Sequence, residues 1–115
     1  MRSFFNSFQY AFQGIRWALQ QRNMRIHFIA AIFVTIAGFY FTVSAIEWCI
    51  LCICIGLVIG AECLNSAIEE MANFIHPEKH EKIKRIKDLA AAAVLLFALV
   101  SLIIACIIFI PKIYT

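Results

Sequence analysis

Hydrophobic positions follow two kinds of pattern along this chain. In residues 1–25, "MRSFFNSFQYAFQGIRWALQQRNMR", Phe4, Phe5, Phe8, Phe12, Ile15 and Leu19 recur at three- and four-residue steps, interrupted by Asn6, Gln9, Gln13, Arg16 and Gln20. This spacing predicts an amphipathic helix over about residues 3–21. Its aromatic face and its basic, acid-free polar face suit the membrane interface; packing on a partner is the alternative. Farther on, the polar interruptions vanish. Three apolar runs, roughly 26–41, 46–74 and 89–110, are candidate membrane spans. The second has no proline and exceeds the roughly 20 residues that a hydrocarbon core needs, so its polar C-terminal half should emerge from the lipid. The third opens on "LAAAAVLL", small residues that let helices approach closely, and should stop at Pro111. The expected fold is an all-α membrane protein, three transmembrane helices plus an N-terminal surface helix, in a single domain over residues 1–115.

Composition strengthens the membrane reading. The chain has 115 residues, 63% of them hydrophobic, and a mean hydropathy of +0.87. A soluble domain is about half apolar, and a chain this short has little core in which to hide the surplus. Cys49, Cys52, Cys54, Cys63 and Cys106 lack a His or second CxxC at zinc spacing and read as small packing hydrophobes. No cleavable signal peptide is expected, since Arg2 is not followed by an apolar stretch ending in small residues.

The net charge of +3 is too small to argue for nucleic acid; position along the chain says more. Arg2, Arg16, Arg22 and Arg25 lie before the first run, only Glu47 in the 42–47 turn, and Lys79, Lys82, Lys84, Arg85 and Lys87 in a predicted loop over 76–88. The excess of cations on cytoplasmic loops predicts that the N-terminus and the 76–88 loop face the cytoplasm.

Within the second run, "GAECLNSAIEE" at 60–70 carries carboxylates where lipid-facing residues belong. On a helix Glu62, Asn65 and Glu69 fall within about 60° of one another; Ser66 borders that stripe and Glu70 points away. A carboxylate near the bilayer centre costs about 2.5–3.5 kcal/mol on insertion scales, which makes Glu62 a functional candidate by default. A neutral, hydrogen-bonded Glu62 and a merely interfacial Glu69 and Glu70 are the structural alternatives. A desolvated Glu has a raised pKa and can serve as a general base; a second Glu near water can hold a divalent metal; loop cations can hold phosphates. These are parts for phosphoryl transfer to a lipid hydroxyl, without a Walker loop or the protein-kinase signatures. The competing reading is a non-catalytic membrane protein, or a small transport or assembly subunit, that uses Glu62 and Glu69 as an ion site.

"AECLNSAIEE" followed by "KDLAAAAVLL" resembles the prokaryotic diacylglycerol kinase family, whose pattern is E-x-x-N-[ST]-A-I-E, a short loop, then K-D-[ML]-x-[AS]-[AG]-A-V-L. The family comprises diacylglycerol kinases and undecaprenol kinases; "RNMRIH", "IEW" and "IFIPKI" look more like the second branch. The resemblance implies an ATP- and Mg²⁺-dependent lipid kinase, a homotrimer of chains with three spans and a surface helix, with sites shared between subunits. It implies Glu62 as general base on the lipid hydroxyl and Asn65 as its support. Glu69 would hold metal near the ATP phosphates, with Lys87, Asp88, His80 and Tyr10 on the nucleotide. The chain departs from the pattern at Gln21, where the family has a Glu that joins the motif's last Glu in binding metal; an amide oxygen ligates Mg²⁺ more weakly than a carboxylate. Asn73 likewise stands where some members have Asp.

Overall fold

The structure, a computed structural model, describes residues 2–115. It contains four helices: α1 Arg2–Leu19, α2 Arg22–Tyr40, α3 Ala45–Ile75 and α4 Glu81–Ile113. There is no strand among the described residues. α2, α3 and α4 are each long and apolar enough to cross a membrane. At 1.5 Å per residue α3 is about 46 Å long against a hydrocarbon core of about 30 Å, so it projects well past the lipid.

Two expectations about α4 are corrected. Its helix starts at Glu81, eight residues before the apolar run at Leu89, because the charged segment 81–88 is itself helical; only His76–His80 separates α3 from α4. His80 caps this start, its Nδ1 accepting the Lys82 N–H at 3.1 Å, and Lys84 pairs with Asp88 one turn on at 2.7 Å. Nor does Pro111 stop the helix, which continues to Ile113. Proline removes one backbone donor, and this close to the end a single turn can still close: the Tyr114 N–H reaches the Ile110 carbonyl.

The turn between α2 and α3 is tight. Thr42 takes a positive φ of 50°, and the Val43 N–H returns to the Gly38 carbonyl at 3.1 Å. Ser44 then opens α3 with a capping box: its Oγ accepts the Glu47 N–H at 3.2 Å while its own N–H donates to Glu47 Oε1 at 2.9 Å. The other Glu47 oxygen accepts from Lys112 Nζ at 3.1 Å and ties the end of α4 to this turn. Here too lies the apolar core, Val43, Leu51 and Ile108 with Trp48 and Ile104 against them.

α3 is the central helix. It packs along α4 and α2, and α1 lies against its C-terminal half. Many large apolar side chains face outward, Phe33, Ile36, Leu95 and Ile103 among them, as expected where the solvent is hydrocarbon. The polar exception is buried: Glu62, Asn65 and Ser66, all on α3, are 2%, 5% and 8% exposed.

Candidate active site

The helical period of α3 brings Glu62, Asn65 and Ser66 into the interior, with Glu69 half-buried one turn on and Glu70 exposed. Glu62 is flanked by a basic group that the sequence reading passed over: His27, on α2, places Nε2 at 3.6 Å from Glu62 Oε2. The available signal was a lone His near the start of an otherwise apolar run. Asn65 Oδ1 is enclosed and accepts no hydrogen bond. Such atoms are rare, because an unpaired buried acceptor costs about 1–3 kcal/mol.

Ser66 is fully engaged. Its Oγ contacts the Glu62 carbonyl at 2.9 Å, and it donates to Gln21 Oε1 at 2.5 Å. Gln21 is the residue that precedes α2, so the junction between α1 and α2 is pinned to the polar face of α3. Met24, the next residue on that face of α2, is fully buried. Between α1 and α3 runs a cleft of 800 Å³, lined by Gly14, Trp17, Gln21, Ser66 and Glu70 among others. Glu70, expected to point away from the polar stripe, does leave it, and faces the surface helix instead.

A second cleft, of 600 Å³, gathers His80, Lys87 and Asp88 with Lys79 and Lys84. Within it Lys87 Nζ donates to Asn73 Oδ1 on α3, Asp88 is held by Lys84, and His80 presents the ring nitrogen that its cap leaves free. Glu69 lines neither cleft. Tyr10 is 71% exposed on α1 and is not drawn into either group. The residues predicted for the nucleotide are therefore brought together in part: His80, Lys87 and Asp88 share one cleft, while Tyr10 and Glu69 stand outside it.

Oxygen ligands dominate the polar face, which suits a hard cation such as Mg²⁺. Among the described residues no three His, Cys, Asp or Glu side chains converge as a metal cage. Mg²⁺ ordinarily needs only one or two carboxylates when phosphates complete its shell, and the half-buried Glu69 fits that lesser demand.

The family model described as prokaryotic diacylglycerol kinase matches residues 9–109. The undecaprenol kinase of Bacillus subtilis (strain 168) is 43% identical over 114 residues, 97% of this chain and 92% of that protein. The diacylglycerol kinase of Synechocystis sp. is 36% identical over 91% of this chain and 61% of its own length; that of Escherichia coli (strain K12) is 34% identical over 85% and 81%.

Proposed function

The chain belongs to the prokaryotic diacylglycerol kinase family and is a membrane lipid kinase, and from that premise we propose that it transfers the γ-phosphoryl group of ATP to the hydroxyl of a membrane lipid at the cytoplasmic face. The near-full-length relatives are lipid kinases, so a transport or ion-site role is set aside. The observation that carries the assignment of residues is the buried pair of Glu62 and an unpaired Asn65 oxygen on one face of α3.

In this reading Glu62 takes the hydroxyl proton as the lipid oxygen bonds to phosphorus and the bond from phosphorus to the bridging oxygen of ADP breaks. Asn65 orients the hydroxyl, its free oxygen accepting the O–H before the proton passes to Glu62. Lys87, His80 and Asp88 hold the nucleotide in the loop cleft, and Tyr10, exposed on the surface helix outside that cleft, meets it from another copy of the chain. Mg²⁺, delivered with ATP, would be held by Glu69, and less firmly by Gln21, whose oxygen already accepts from Ser66; it supplies neutralisation of phosphate charge. Phosphoryl transfer needs positioning and charge stabilisation more than covalent help.

Of the two acceptors, undecaprenol is the one we assign, supported by the 43% identity that extends over nearly the whole of an undecaprenol kinase against 34–36% for the two diacylglycerol kinases above. A homotrimer with shared sites is part of the proposal. It is supported by Gly56 and Gly60, spaced one turn apart on α3 with no atom within 4 Å of a side chain built there, a face open to close helix approach.

The test is transfer of labelled phosphate from ATP into undecaprenol and diacylglycerol, side by side in mixed micelles with Mg²⁺. Label should enter undecaprenol and be lost in Glu62→Gln, a variant expected to fold normally. A Glu62→Gln protein with most of its turnover would remove Glu62 from the chemistry; label in diacylglycerol alone would reverse the acceptor.

A further inference from the structure

We propose that His27 is a positioning residue for phosphoryl transfer: its imidazole faces one oxygen of the Glu62 carboxylate and so leaves the other aimed at the lipid hydroxyl. The inference rests on the reading of Glu62 as the proton acceptor.

Gln21, Met24 and His27 recur at three-residue steps and lie on one side of α2. Gln21 meets Ser66, Met24 is fully buried, and His27 meets Glu62. Because Ser66 and Glu62 are four apart on α3, these contacts fix both the rotation and the height of α2 against the polar face. α2 therefore cannot turn or slide so as to carry His27 away from the carboxylate without breaking the Gln21 contact or uncovering Met24.

Chemistry gives the contact its purpose. Glu62 is 2% exposed, and His27 is the one basic side chain within 4 Å of it among the described residues. A carboxylate so enclosed is expensive unless a donor faces it. In the tautomer carrying hydrogen on Nε2, His27 donates toward Oε2 and leaves Oε1 to receive a proton. At 3.6 Å the pair is longer than a formed hydrogen bond, and catalytic contacts commonly tighten only with substrate present. On its other side His27 borders an apolar cleft of 200 Å³ between α2, α3 and α4, with Val34, Val58 and Leu102 along it. The imidazole thus stands between hydrocarbon-like space and the buried acid.

The test compares His27→Gln, which keeps an N–H donor near the position of Nε2, with His27→Leu, which keeps volume and removes the donor. Both are assayed as full-length protein in lipid micelles beside wild type and Glu62→Gln. His27→Leu should lower kcat roughly 10- to 100-fold, the range for one hydrogen bond to a charged group, with KM for ATP unchanged. His27→Gln should recover a large part of that loss. Equal activity of His27→Leu and wild type, a loss confined to KM for ATP, or no difference between the Gln and Leu variants would each overturn the assignment. Failure of the underlying reading is separate, because Glu62→Gln would then stay active whatever His27 does.

Discussion

Asn65→Leu should make the nucleotide-free protein more stable and nearly inactive. Asn65 is 5% exposed and its Oδ1 has no partner. The groove of 390 Å³ beside it is lined by Leu64, Ile68, Ala90 and Phe97 among others, so a leucine of similar shape meets its own kind. Removing an unpaired buried acceptor recovers about 1–3 kcal/mol, a factor of roughly 5 to 150 in the ratio of folded to unfolded protein. Turnover should fall by roughly 10²- to 10³-fold, the usual consequence of deleting one oriented polar group that acts on the reacting centre. Unfolding by heat or by SDS in a fixed detergent, without nucleotide, reads the first quantity, and label transfer to undecaprenol reads the second. A variant less stable than wild type would mean that the oxygen has a partner in the assembled protein, and the reasoning from an orphaned atom would fail. A stable variant that kept its turnover would show that Asn65 has no part in the reaction.

Other expectations are sharper on structure or on metal. Gly38→Ala places a Cβ 2.5 Å from Trp48 Cη2 and 2.9 Å from Cζ2 and Cζ3; the indole must shift, costing about 1–3 kcal/mol, whereas Gly14→Ala, with nothing within 4 Å, should not lower the melting temperature. Gln21→Glu keeps an acceptor for Ser66 while adding a carboxylate, and should lower the Mg²⁺ concentration for half-maximal transfer about tenfold; an unchanged Mg²⁺ titration would place Gln21 away from the metal. Lys87→Met should raise KM for ATP about tenfold by removing a charge-assisted contact to phosphate, and an unchanged KM would assign Lys87 only its contact with Asn73.

How far the chain could be read from its sequence divides along a physical line. The turns of α3 were legible because a helix has a fixed period: that Glu62, Asn65 and Glu69 share a face bordered by Ser66 follows from 100° per residue, whereas the lighter burial of Glu69 than of its neighbours depends on what packs there. The ends of α4 were not, because hydropathy marks lipid rather than helix. Residues 81–88 are too charged to lie in hydrocarbon yet form the first turns of the same helix, and Pro111 near the far end forfeits one hydrogen bond without ending it. Contacts between helices were harder still. Nothing in "RNMRIH" says which way His27 faces until the rotation of α2 is fixed, and that is decided by Met24 filling its site and by Gln21 meeting Ser66.

The same distinction bears on how the site is completed. The cleft beside Gln21 and Ser66 and the cleft holding His80, Lys87 and Asp88 share no lining residue, and Glu69 belongs to neither. In-line transfer requires the γ-phosphoryl group and the lipid hydroxyl to meet at bonding distance. Two separate clefts on one chain do not by themselves accomplish that, whereas a second copy offering its basic loop to the buried acid of the first would. On that arrangement, at ATP well below KM, where the Lys87→Met chain alone is slow, mixing it with a Glu62→Gln chain should raise turnover in the fraction of assemblies that pair an intact acid with an intact basic cleft. Co-expression of the two variants measures this directly. Turnover no higher than the sum of the two parents would locate the whole site within one chain.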